Sequence, residues 1–367
     1  MGLIVRGKEM SSSDVSIHKR HEQLTDTIYE SSGMLPSRYV YILTNLCNFS
    51  CPFCFQYRKK TKDPMTKEDW LKVTSQIPDY ARVTLTGGEP LVYKGFTEIL
   101  EGITENNDCN IITNGALLTE QWVDILLQHP RLKVISISID DVGNKSRQLK
   151  PGMWENIVRN ISKFREKRTR AGAETILDIK TIVLDENAEE LFNIYKYCVE
   201  ELRCDTHAFQ FLKGSHLQHA DTMYEFDEIY KIPEPSVYKN LEIIYRQLEK
   251  VREYATKNNQ RSYLHPIVGK MQSSSSLPDI NYLNEVEFNQ SNYQACKFPW
   301  SSVHINADGH LFPCMAISMG NVKEQSLESI IQGETFKKFR KVIKEQGTVS
   351  GCHRCGWLRP NEKLLTQ

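Results

Sequence analysis

Three of the chain's ten cysteines fall within eight positions, in "LTNLCNFSCPFCFQ". The spacing is Cys47-x-x-x-Cys51-x-x-Cys54, directly after a strand-like run. Thiolates are soft ligands that select zinc, Cu(I) or iron–sulfur clusters. A structural zinc takes four ligands, and no histidine lies nearby in the chain to complete a set of four. A cubane [4Fe–4S] cluster accepts one thiolate per corner, so three protein thiolates leave one iron open to a ligand. A zinc with a distant fourth ligand, a redox pair and ordinary core cysteines remain open on this stretch alone. A second set, Cys296, Cys314, Cys352 and Cys355, lies in the last quarter of the chain. Cys352-x-x-Cys355 with two distant partners makes a zinc site on spacing alone.

The elements that must position these residues alternate. Apolar, β-branched runs at 38–44, 82–86, 109–113, 134–139, 177–183 and 207–212 are separated by segments of helical period. This rhythm predicts βαβ units and a parallel sheet buried on both faces. Six such units predict an α/β fold, a partial (β/α)6 barrel, with chemistry on the loops at the strands' C-terminal ends. The first strand runs into the three cysteines, the second into Gly87-Gly88-Glu89-Pro90, the third into Asn114-Gly115-Ala116 and the fourth into Asp140-Asp141-Val142-Gly143. All four segments are therefore predicted on one face. Residues 1–37 read as a polar N-terminal extension, 38–260 as the barrel, 261–295 as a connecting region with a serine run, and 296–367 as a small domain of hairpin and helix.

Composition narrows the class. The chain has 367 residues, 40% hydrophobic and 25% charged, with 46 basic and 46 acidic side chains. Net neutrality gives no field toward nucleic acid or an anionic membrane. No signal peptide and no apolar run of membrane length is present, which predicts a cytoplasmic protein without a membrane partner. Ten cysteines there point to metal binding or redox chemistry before disulfides.

The cysteine loop, with Phe53 before Cys54, resembles the signature of the radical SAM superfamily, C-x-x-x-C-x-aromatic-C after the first barrel strand. "GGEP" is similar to that family's S-adenosylmethionine loop, and "TNG" and "SID" are similar to its features after the third and fourth strands. The resemblance implies that Cys47, Cys51 and Cys54 hold a [4Fe–4S] cluster whose open iron chelates S-adenosylmethionine. It implies that Gly87, Gly88 and Glu89 pass the methionine amino group, and that Ser138 and Asp140 reach the ribose, with Asn114 in the same pocket. One electron, from a donor such as flavodoxin or ferredoxin, then splits the sulfonium to give a 5′-deoxyadenosyl radical that abstracts a substrate hydrogen. Plain alternatives stand beside these roles: a turn for Gly87, Gly88 and Asn114, and hydroxyls satisfied within the barrel for Ser136 and Ser138.

The C-terminal segment, with Gly309 five residues before Cys314 and "MGN" after it, resembles the auxiliary-cluster domain called SPASM in its long form and Twitch in its short form. No cysteine follows Cys355, so the short form fits, with one auxiliary [4Fe–4S] cluster on Cys296, Cys314, Cys352 and Cys355. Cys109 and Cys198 read as core. Cys204 reads as core or as a hydrogen-atom donor, and Lys213, His216 and His219 as residues lining a substrate site or as a solvated loop. Only 37 residues precede the first strand, too few for a leader-binding module of domain size. The expectation is therefore oxidation or epimerisation of a small, sugar-like or carrier-linked substrate. Modification of a ribosomal peptide is the alternative, and a non-catalytic metal-stabilised binding protein stands as the reading from another class.

Overall fold

A computed structural model describes residues 13–31, 33–56, 61, 63–143, 145–218, 220–231, 234, 237–266, 269–270, 275–285 and 287–361. Eight βα-type elements build the first part: α1 (Ser13–Glu30), β1 (Arg38–Ile42), α2 (Lys67–Thr74), β2 (Arg82–Thr86), α3 (Phe96–Thr104), β3 (Asp108–Thr113), α4 (Glu120–Leu127) and β4 (Leu132–Ser138). They continue as α5 (Met153–Ala171), β5 (Ile176–Val183), α6 (Leu191–Glu200), β6 (Thr206–Phe211), α7 (Leu241–Lys257), β7 (Arg261–His265) and β8 (Gly269–Lys270). The C-terminal part holds α8 (Phe298–Ser301), β9 (Ser302–Ile305), β10 (His310–Phe312), β11 (Gly320–Asn321), α9 (Leu327–Ile331) and α10 (Glu334–Gln346).

Strands β1 to β7 pair in parallel and in order, which is the partial barrel. Local sequence explains the helices between them. Thr66 caps α2 with its side chain while Asp69 returns the bond, a reciprocal capping box, and Thr119 caps α4. One face of the sheet is covered by helices. Tyr41 shows the packing: its ring lies 4.6 Å from that of Trp70 on α2, and its hydroxyl is 3.3 Å from Thr74 Oγ1.

The other face departs from the expectation of two apolar faces. Because side chains alternate along a strand, Ser136 of β4, Asp178 and Lys180 of β5 and Thr206 of β6 share the concave face with Val40 and Ile42. Asp178 accepts from Ser136 Oγ and Thr206 Oγ1, each at 2.7 Å, and lies 3.0 Å from Lys180 Nζ. These bonds hold its carboxyl below the usual range although burial opposes them. Buried polar groups persist where partners satisfy them, and a concave polar face suits a polar ligand.

Three segments differ from the sequence expectation. The extension contains α1, which packs on α8; Tyr29 sets its ring 4.8 Å from Trp300. The small C-terminal part joins the barrel's sheet, because β9 pairs in parallel with β1 and extends one sheet of eleven strands. The stretch 261–295 carries β7 rather than loop alone.

Candidate active site

The four loops named from the sequence leave the same ends of parallel strands β1 to β4. Backbone bonds tie the first two together: Gly88 N–H donates to Thr44 O at 2.7 Å and Glu89 N–H to Leu46 O at 2.8 Å. A Cβ on Gly88 would stand 2.1 Å from Leu46 O, and one on Gly87 2.6 Å from Thr44 O. Only glycine permits this approach. The pair is thus more than a turn before Pro90, because it holds the backbone that leads into Cys47.

Glu89 is fully buried. Its Oε1 accepts from Thr113 Oγ1 at 2.8 Å and Leu91 N–H at 3.2 Å, and its Oε2 from Asn114 N–H at 2.8 Å. Burial outweighs these bonds and pushes the carboxyl up to about 7. Asn114 serves two purposes. Its Oδ1 accepts from Ala116 N–H at 2.9 Å to close a turn, while its Nδ2 reaches Asn48 Oδ1 at 2.8 Å and stands 3.9 Å from Cys47 Sγ.

The first three thiols are neighbours. Phe49 N–H donates to Cys47 Sγ at 3.4 Å, and Cys54 N–H to Cys51 O at 3.2 Å. Burial raises the Cys47 thiol, and Glu89, Cys51 and Cys54 raise it further. The same holds for the second set: burial first, then Cys352, Cys355 and Cys296, push the Cys314 thiol well above the ordinary range. Cys296 N–H donates to Gly347 O and Cys355 N–H to Cys352 O. All seven donors are thiols, which suits iron–sulfur clusters. Among the described residues no group of three or more His, Cys, Asp or Glu side chains is gathered to hold a single ion.

Ser138 lies at the end of β4, in register with Lys180 on the concave face. Asp140 is fully buried and its carboxylate is already engaged. Oδ2 accepts from Arg147 Nε at 2.5 Å and Oδ1 from Ile182 N–H at 2.8 Å. Sequence reasoning did not single out Arg147. It lies in a polar loop without a spacing signal, yet its Nη1 stands 3.8 Å from Cys51 Sγ.

Of the weaker candidates, Cys204 lies just before β6, at the end of the barrel opposite the cysteine loop, and donates its N–H to Cys198 O. It is buried, and burial raises its thiol far above the ordinary range. Its place therefore fits core packing and not hydrogen delivery at the site. His216 turns to Glu228 at 3.4 Å and packs its ring 4.9 Å from Tyr224. His219 lies outside the described residues. Lys213, by contrast, points its ammonium at the Phe55 ring, 4.4 Å from the centroid, beside Cys54.

Residues 41–198 match the model of the radical SAM superfamily, and residues 296–356 match that of SPASM, an iron–sulfur cluster-binding domain. The chain thus carries a radical SAM domain followed by a SPASM domain, the architecture of a radical SAM enzyme with an auxiliary iron–sulfur domain. Among curated proteins it is similar to the sporulation killing factor maturation protein SkfB of Bacillus subtilis (strain 168), 25% identical over 348 residues, covering 89% of this chain and 75% of SkfB. It is also similar to the GTP 3′,8-cyclase of Actinobacillus pleuropneumoniae serotype 3 (strain JL03), 29% identical over 182 residues, covering 46% of this chain and 52% of the cyclase. Its fold is like that of Streptococcus suis SuiB bound to precursor peptide SuiA, with TM-score 0.61 and 16% identity, covering 97% of this chain and 80% of SuiB. It is also like anSMEcpe with bound AdoMet and Kp18Cys peptide, with TM-score 0.59 and 17% identity, covering 90% and 88%. Among the described residues no helix is long and apolar enough to cross a membrane.

Proposed function

We propose that this enzyme modifies a peptide by radical chemistry, crosslinking or epimerising it. The observation that carries the reading is the extent of the likeness to SuiB with its precursor peptide, which runs through barrel and C-terminal domain together over 97% of this chain. The similarity to a maturation protein over 89% of the chain supports it, whereas the GTP 3′,8-cyclase match covers under half. This moves the reading away from the small-molecule substrate that the sequence suggested.

In this reading Cys47, Cys51 and Cys54 hold the cluster that meets S-adenosylmethionine, and Cys296, Cys314, Cys352 and Cys355 hold one fully ligated auxiliary cluster. When bound and reduced by an external one-electron donor, the first cluster would supply the electron that splits the sulfonium into methionine and a 5′-deoxyadenosyl radical able to take a substrate hydrogen. Gly87 and Gly88 bring their backbone against the segment that leads into Cys47, where S-adenosylmethionine would lie, and Glu89 acts one step back by holding Thr113 and Asn114 beside it. Ser138 offers its hydroxyl to the ribose. Asp140 acts one step back, by orienting Arg147 toward the Cys51 thiolate. The domain division 38–260, 261–295 and 296–367 is part of the proposal, with β9 joining the last part to the barrel's sheet.

The test is co-expression with each short peptide encoded beside its gene, followed by mass spectrometry. A mass change, or deuterium carried from a deuterated peptide into 5′-deoxyadenosine or a solvent-derived deuteron in the product, supports peptide modification. S-adenosylmethionine cleavage stimulated by sugars or nucleotides, with every peptide unchanged, overturns it.

A further inference from the structure

The loop leaving β6 is hydrogen-bonded to the backbone beside Cys314 and on either side of Cys352. Gly214 N–H donates to His353 O at 3.1 Å, and Gln218 Nε2 donates to Gly351 O at 3.1 Å and His353 O at 2.9 Å, the carbonyls on either side of Cys352. Ala316 N–H, two residues past Cys314, donates to Leu217 O at 2.6 Å, and Tyr224 N–H returns to Ala316 O at 2.8 Å. At the start of this loop Lys213 extends the other way. Its Nζ donates to Gln218 O at 2.8 Å and lies 4.4 Å from the centroid of Phe55, the residue after Cys54.

Lys213 thus links a loop bonded to the backbone around Cys352 with the ring that follows Cys54. Among the described residues it pairs with no carboxylate; its partners are one carbonyl and one ring. Burial works against its charge, and the anions that work for it are the thiolates of Cys355 and Cys54, one from each set. A partly buried ammonium without a carboxylate partner is costly unless anions face it. Thiolate-ligated clusters are such anions, and each gains a further negative charge on reduction. A cation near both therefore favours the reduced form of each, and in a site of low dielectric that effect is weakly screened.

We propose that Lys213 is a positioning residue shared by both iron–sulfur sites, its ammonium acting on both cysteine sets and raising the reduction potential of the cluster at each. The inference rests on the cluster assignment above. It differs from a substrate-lining role, because its effect is present before any substrate binds.

The test is an anaerobic redox titration of the reconstituted full chain without substrate, followed by electron paramagnetic resonance, in the wild type and in Lys213→Gln, Lys213→Met and Lys213→Arg. Iron and sulfide are counted in each sample. Both neutral variants are expected to disfavour reduction at both clusters at least tenfold, about 59 mV for a one-electron couple, while Lys213→Arg stays near the wild type. Full iron with neither potential moved, or only one moved, overturns the inference. If Lys213→Met fails to load iron, Lys213→Gln is read in its place. Loss of iron in both neutral variants with loading and wild-type potentials in Lys213→Arg supports a requirement for the charge. Loss in all three makes Lys213 a structural residue and overturns it. Absence of iron from the wild type would instead sink the cluster assignment itself.

Discussion

Arg147 and Asp140 form an ion pair inside the protein, Nε to Oδ2 at 2.5 Å, with 9% and 0% of their side chains exposed. The guanidinium also faces Cys51 Sγ at 3.8 Å, so the pair lies directly beside the first cysteine set. Metal-site partners of this kind orient ligands and tune the metal. Breaking a buried pair from one side leaves an uncompensated charge. Arg147→Met is expected to destabilise the protein by about 3–5 kcal/mol. The double variant Arg147→Met/Asp140→Leu should recover much of the loss in a denaturant double-mutant cycle, while iron bound at the first set falls in both.

Glu89 predicts a pH dependence. Burial raises its carboxyl from the ordinary 4.5 to about 7, so the folded protein holds this proton more tightly than the unfolded chain does. A raised pKa contributes stability that is full below about 4.5 and is lost as pH rises through about 7. In the iron-free protein the shift corresponds to roughly 3 kcal/mol over that window. Glu89→Gln is expected to flatten this fall, read from denaturant midpoints between pH 5 and pH 8. An unchanged slope in the variant would assign the dependence to other groups.

Gly88 predicts a local defect. The Cβ of Gly88→Ala must displace Leu46 O, now 2.1 Å from where it would lie, and Leu46 precedes Cys47. The variant is expected to lose about four irons per chain, one cubane's worth, and to lose S-adenosylmethionine binding, while the second cysteine set keeps its cluster. Retention of all iron with normal binding would contradict the role given to this backbone approach.

Much of this site was legible in the sequence because it is local. The β-branched run at 82–86 is β2 itself, and the other five predicted strands fall within two residues of the observed ones at nearly every end. Their C-terminal loops could be placed together because parallel strands share direction. What escaped is non-local. The strand β9 pairs with β1 across some 260 residues of chain, Arg38 opposite Ser302, and no short-range pattern announces that contact. Arg147 sits in "GNKSRQL", where only the fold reveals that it meets Asp140 and Cys51. The concave face was misjudged because Asp178 and Lys180 are one inward pair in a strand whose other residues are apolar except Thr181.

Gln218 predicts that the β6 loop supports the second set. Its amide serves the carbonyls of both Gly351 and His353. Gln218→Leu leaves both without that donor and is expected to cost about 1–3 kcal/mol. Iron at the second set should be lost faster to a chelator, with the first set unaffected.

As proposed, the two cysteine sets hold two clusters, the first with a corner left for S-adenosylmethionine. The most direct measurement is iron, sulfide and zinc per chain after anaerobic reconstitution. Two four-iron cubanes predict about eight irons and about eight sulfides without zinc. Zinc bound in place of iron, with no sulfide taken up, would contradict it.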